Sequence, residues 1–150
     1  MKKYLPLLAF FLAMDAQACT LYRSTSSNTV VKLLAENGWN AKKFDAICPK
    51  LNRANAELLI DGQATVLGGA SVGWAVLMLK DRDSNVTTSD YSSKSTSMNT
   101  GVASMDTAEA LLYSALNSAL DAYNVDDALV SLDDARRKTR AALAPKAGKK

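Results

Sequence analysis

ELLIDGQATVLGGASVGWAVLMLK, residues 57–80, carries two successive strand signals with a glycine pair between them. In the first, Leu58, Ile60, Gly62, Ala64 and Val66 alternate with Asp61, Gln63 and Thr65, the period of a strand with one buried face. Gly68-Gly69-Ala70 follows as a turn. The second run, Ser71 to Lys80, is apolar on both sides, with Val72, Trp74, Val76 and Met78 on one and Ala75, Leu77 and Leu79 on the other. That pattern predicts a central strand buried on both faces. A rival hairpin would turn at Asp61-Gly62, itself a strong turn dipeptide.

Downstream, Asp81-Arg82-Asp83-Ser84 makes a second turn, and Asn85 to Met98 is a β-branched, serine-rich run with little apolar content. It suits a solvated edge strand on which Asp90 and Lys94 discourage further pairing. The period then becomes helical. Ala108, Leu111, Leu112, Ala115, Leu116, Ala119, Leu120 and Tyr123 form a continuous stripe, with Asp106 placed to cap it and Glu109 three residues on. Asn124 breaks and recaps the chain, and Val125, Ala128, Leu129, Leu132 and Ala135 give the next helix a narrow apolar seam. Asp126 and Asp127 at its start and Arg136, Arg137, Lys138 and Arg140 toward its end complement the helix dipole.

Upstream, Asn28 to Asn37 places Val30, Leu33 and Leu34 on one side of a helix that Asn28 can cap and Gly38 can stop, with Trp39 folding back on Leu34. A second short helix is expected from Ala41 to Cys48, where Phe44 and Ile47 share a face and Pro49 weakens continuation. The expected fold is therefore α+β: two short N-terminal helices, a three-stranded antiparallel meander, and one or two long C-terminal helices packed on the sheet.

The start of the chain reads differently. Lys2 and Lys3 precede an apolar run from Leu5 to Met14, and Ala16-Gln17-Ala18 has the small residues of a cleavage site. This order predicts a secretory signal peptide over residues 1–18, a single α+β domain over 19–143 and a disordered basic tail over 144–150. The apolar run falls short of the roughly 20 residues that span a bilayer, so the protein is expected not to be transmembrane. Cys19 and Cys48 are the two cysteines, and an even pair in an oxidising compartment predicts one disulfide. The expected location is periplasmic or secreted, in a bacterial envelope. A lipoprotein anchored through Cys19 is the alternative, although Ala16 and Gln17 stand where a lipoprotein signal places Leu and a small residue.

Charge is divided along the chain. Residues 19–135 hold 9 basic and 14 acidic side chains, a net −5, whereas residues 136–150 carry a net +7. Arg136, Arg137, Lys138 and Arg140 are thus candidates for contact with an anionic membrane or wall surface. No aromatic residue interleaves with them, and export argues against a nucleic-acid partner.

The residues also narrow the chemistry. Histidine is absent, which removes the usual serine and cysteine triads, His-containing zinc sites and the commonest neutral-pH base. Asp81-Arg82-Asp83-Ser84-Asn85 opens like a calcium loop, but Val86 and Ser92 occupy the positions that need Gly and Glu. Gly68-Gly69 lies between strands, not before a helix, so it lacks the setting of a phosphate cradle. Asp126, Asp127, Asp133 and Asp134 leave a carboxylate-dependent hydrolase as a minor alternative, although helix capping already accounts for such acids. No cofactor and no metal are expected.

Spacing places Trp74 and Tyr123 in the core, which leaves Tyr91, with Asp90 and Lys94 beside it, as the candidate partner-binding residues of an edge strand. The expected function is a small exported, non-catalytic protein that binds another protein, such as an inhibitor, a toxin-immunity factor or an envelope-assembly accessory. Attachment to an anionic envelope surface through the basic C-terminal segment is the alternative.

Overall fold

The computed structural model describes residues 19–144, so the signal peptide expected at 1–18 and nearly all of the tail expected at 144–150 lie outside the described residues. The chain order is β1 (Arg23–Thr25), α1 (Asn28–Asn37), α2 (Phe44–Arg53), β2 (Ala56–Leu67), β3 (Ala70–Asp81), β4 (Thr87–Asn99), α3 (Met105–Ala122) and α4 (Val125–Leu143). The fold is α+β, with two short N-terminal helices and two long C-terminal ones. The sheet runs β1-β2-β3-β4 and is mixed. β2, β3 and β4 form an antiparallel meander, and β1 adds a parallel edge that the sequence pattern did not reveal. Three polar residues, Arg23-Ser24-Thr25, carry no periodic signal; the Cys19–Cys48 disulfide and the Asn52 side-chain amide, which donates to the Thr20 carbonyl at 3.0 Å, bring that segment to β2.

Gly68 and Gly69, both with positive φ (56° and 83°), turn β2 into β3 in the two-residue hairpin that such values define. Gly62 pairs with Ala75 inside the continuous β2–β3 ladder, so the rival turn at Asp61-Gly62 does not form. A strand passing through Gly62 keeps the alternation of Leu58, Ile60 and Ala64, all buried, toward one face.

That face is covered by helices. α3 lies across β2, β3 and β4, and α4 lies on β3 and β4. Small side chains let α3 sit close. Gly62, Ala64, Gly73, Ala75 and Ser93 line the sheet beneath it, and a Cβ built on Gly73 would stand 2.0 Å from the Leu112 backbone nitrogen. The Ser93 hydroxyl donates to the Ala119 carbonyl at 2.7 Å, so part of the serine content of β4 serves helix contact as well as solvation. The other side of α3 binds the N-terminal elements through Glu109, Tyr113, Asn117 and Asp121, spaced four apart. They meet the Lys32 ammonium, the Gly38 carbonyl, the Asn40 amide and the Lys43 amide at 3.1, 3.2, 2.7 and 3.0 Å.

Element ends depart from expectation at three places. Ser27 and Ser104, not Asn28 and Asp106, cap α1 and α3, their hydroxyls accepting from the Val30 and Thr107 amides. Asn124 and Gly38 act as expected, at the start of α4 and the end of α1. α2 starts at Phe44 and runs through Pro49 to Arg53. A proline inside a helix costs about 3 kcal/mol, set here against the burial of Ile47, Cys48 and Leu51 and the disulfide at Cys48.

β3 is where the sequence reading needs correction. Ala75, Leu77 and Leu79 are fully buried under the helices, but Val72, Trp74, Val76 and Met78 are only half-buried on the opposite face. Trp74 therefore lies outside the core, whereas Tyr123 is within it. Among the described residues all four helices serve one side of the sheet, and none covers the other.

Candidate functional site

The uncovered face is built by register. Across β2, β3 and β4 the outward rows are Leu59–Met78–Ser92, Asp61–Val76–Lys94, Gln63–Trp74–Thr96 and Thr65–Val72–Met98. An apolar ridge along β3 thus runs between polar flanks, with Leu67 and Met98, each 64 % exposed, near the hairpin end. Asp61 and Lys94 are exposed on either side of Val76, and neither has an ion-pair partner among the described residues. At the far end Lys80 and Glu57 pair across strands at 3.0 Å.

β4 forms the long edge of this sheet. Its regular ladder with β3 runs from Asn99 to Ser92 and then shifts register between Met78 and Lys80. In the irregular stretch the buried Thr88 hydroxyl accepts from the Leu79 amide at 3.0 Å and lies 3.1 Å from the Tyr91 carbonyl, to which it can donate. A bulge of this kind re-aims neighbouring side chains. The residue re-aimed here is Thr88, which is buried, whereas Tyr91 keeps the alternation of Ser93 toward the helices and stacks at a tilt on Tyr123, with ring centroids 5.9 Å apart. Of the three residues expected on a partner-binding edge, Tyr91 is half-buried against Tyr123, whereas Asp90 and Lys94 are exposed.

The basic segment divides in the same way. Arg136 turns inward, its side chain only 14 % exposed, and its guanidinium donates to Asp81, to Asp133 at 2.9 Å and to the Ala54 carbonyl at 2.9 Å. Arg137 pairs with Asp134, and Lys138 and Arg140 are exposed along α4. The expected turn Asp81-Arg82-Asp83-Ser84 is present, and its Asp81 carboxylate accepts from the Ser84 amide at 2.9 Å and from the Ser84 hydroxyl. Around this corner is an open cleft of about 600 Å³ lined by Arg53, Asp81, Asp83, Asp133, Arg136 and Arg140. Three carboxylates face three guanidiniums there, so the cleft largely neutralises itself.

Burial works against ionisation of Asp81, but Ser84 and Arg136 together outweigh it and hold the carboxyl below the usual range. Arg136 is likewise desolvated, yet Asp81 and Asp133 raise its pKa. Burial pushes the Tyr123 phenol up, the Thr88 hydroxyl pulling less strongly the other way. The Glu109 carboxylate raises the exposed Lys32 ammonium. Asp81, Arg136, Tyr123 and Lys32 are thus each held more firmly in the protonation state they already have near neutral pH, which is opposite to the tuning of a general acid or base.

Cys19 and Cys48 form a disulfide, with Cα atoms 6.1 Å apart. Among the described residues no cluster of three acidic, cysteine or histidine side chains could hold a metal ion, and no helix is long and apolar enough to cross a membrane. No protein-family model matches the chain, and neither the curated proteins nor the solved structures contain a match to it.

Proposed function

We propose that this chain is an exported, non-catalytic protein that binds another protein through its uncovered sheet. The carrying observation is the ridge of Val72, Trp74, Val76 and Met78, left half-exposed on a sheet whose other face is packed against the described helices. Apolar side chains framed by polar residues are what a protein partner desolvates on docking. β4, the edge strand among the described residues, extends the same surface and offers backbone groups to an added strand. Export is supported by the Lys2-Lys3 start, the short apolar run and the Ala16-Gln17-Ala18 site, followed directly by a cysteine that pairs with Cys48. The Cys19–Cys48 pairing favours this reading over a lipoprotein anchored through Cys19.

The test is paired affinity capture under cross-linking, using wild type and Trp74→Glu expressed from the full sequence as baits. A stoichiometric partner retained by wild type and lost from a still-folded Trp74→Glu is expected. Identical capture by both baits would remove the sheet face from the reading. Intact mass of the exported protein checks the compartment, since processing before Cys19 and a mass two hydrogens below the reduced value are expected.

Attachment to an anionic surface is the second reading, favoured by the exposure of Lys138 and Arg140 on one helix. Sedimentation with vesicles containing anionic lipid tests it, and binding that survives deletion of residues 137–150 overturns it.

A further inference from the structure

Resting on the protein-binding reading, we infer that the occupant of the uncovered face is a second copy of this chain, stacked face to face about a two-fold axis running along β3. The assignment comes from charge placement. Asp61 on β2 and Lys94 on β4 stand in one row with Val76 between them. A two-fold axis along β3 and parallel to the sheet exchanges left and right, so β2 of one copy lies over β4 of the other. Asp61 of each copy then faces the partner copy's Lys94, twice per pair, while Val76 meets Val76 and the ridges close on one another. The face is complementary to itself, as a two-fold interface must be. An axis across the strands would instead lay β2 over β2 and β4 over β4, without opposing these charges.

Dimensions fit as well. Sheets pack about 10 Å apart with strands within about 30° of each other, a gap that an aspartate and a lysine side chain can bridge from opposite sides. Three strands and a seven-residue ridge present roughly 14 by 24 Å. Two such faces cover roughly 700 Å² in projection, below the about 1,200 Å² at which standard specific interfaces begin, so the pair is weak and reversible and its population depends on concentration. The edge of β4 remains outside the stacked faces, available to a different partner.

The experiment is sedimentation equilibrium of the exported protein across a concentration series, with Asp61→Lys, Lys94→Asp, the double exchange and Trp74→Glu, each checked for retained secondary structure by circular dichroism. Wild type is expected to pass from monomer to dimer with rising concentration. Asp61→Lys and Lys94→Asp each alone should weaken pairing at least about tenfold, because two like-charged contacts replace two attractive ones. An equimolar mixture of the two single variants should restore pairing as a heterodimer, since both contacts become attractive again, and the double exchange should restore it within one species.

A monomer at every concentration, or a dimer indifferent to both charge changes, overturns the inference. In the first case, loss of a different captured protein by Trp74→Glu leaves the protein-binding reading standing. If Trp74→Glu alters neither self-association nor capture, both fall.

Discussion

Replacing Gly73 with alanine tests the close seating of α3 on which the two-layer arrangement depends. The added Cβ would lie 2.0 Å from the Leu112 nitrogen, 2.4 Å from the Leu111 carbonyl carbon and 2.6 Å from the Leu112 Cα. All three are backbone atoms, so no side-chain rotation relieves the clash. Restoring a separation of about 3.5 Å lifts the helix locally by roughly 1.5 Å, and a gap of even 1 Å forfeits up to about half of a contact's dispersion energy. The buried residues Leu112, Ala115, Leu116, Ala119 and Leu120 all share that interface. Overpacking ordinarily costs about 1 to 3 kcal/mol, and displacement of a helix backbone places this change above that range, at about 4 kcal/mol. For a domain of this size that corresponds to a fall in Tm of roughly 12 to 16 °C.

Two other glycines supply the scale. At Gly62 the Cβ would meet the Trp74 carbonyl oxygen at 2.9 Å and the Leu112 Cδ1 at 3.1 Å, the latter a movable side chain, so Gly62→Ala should cost about 1 to 2 kcal/mol. Gly101 has only the Asn99 Oδ1 at 3.4 Å, and Gly101→Ala should stay within about 0.5 kcal/mol of wild type. Urea unfolding followed by far-UV circular dichroism measures all three. A Gly73→Ala protein within about 1 kcal/mol of wild type would refute the close packing of α3 over β3.

Three further outcomes are expected. Arg136→Ala leaves the Asp81 carboxylate, 8 % exposed, without its cation and should cost about 3 kcal/mol, the low end for breaking a buried pair; a loss below about 1 kcal/mol in urea unfolding counts against it. Because the folded-state pKa of Asp81 lies below its unfolded value, the stabilisation is complete above the usual carboxylate value of about 3.9 and disappears as pH falls through the depressed one. Arg136→Ala should therefore flatten that part of the acid unfolding profile, and an unchanged acid limb refutes the linkage. Reducing Cys19–Cys48, which closes a separation of 29 residues, should lower stability by roughly 3 to 4 kcal/mol, read as a shifted urea midpoint with and without reductant.

Legibility followed periodicity. The β2–β3 hairpin and α3 are long segments with one dominant period, and Gly68-Gly69 supplies turn chemistry that little else satisfies. β1 was hidden because three polar residues have no period, and its pairing depends on the disulfide and Asn52. The Asp81–Arg136 contact joins residues 55 apart in sequence and leaves no local trace. Tyr91 read as an exposed edge residue because the serine-rich run around it carries no apolar alternation to mark its inner face, although it shares the parity of Ser93, which faces α3. Glu109, Tyr113, Asn117 and Asp121 have helical spacing, but Glu109 meets Lys32 on α1 and the other three meet backbone amides and a carbonyl between α1 and α2, partners that sequence spacing does not locate.

The error over Trp74 is the most informative, because its cause and the docking face are the same residues. Val72, Trp74, Val76 and Met78 gave β3 the composition of a strand covered on both sides, whereas the four helices cover one. Strand propensity alone does not account for them: the same face carries Thr65 on β2 and Thr96 on β4, which suit a pleated, solvated surface without apolar exposure. Nor is the face uniformly apolar, since Asp61, Gln63, Ser92 and Lys94 border the ridge. A ridge centred on β3, with Leu59 and Met98 at its ends and polar residues between them on the flanks, limits indiscriminate association while leaving an apolar area for a matched surface to remove from water. On the proposed reading, the pattern describes a sheet with two covers, one supplied by the chain's own helices and the other by the protein proposed to dock against Trp74.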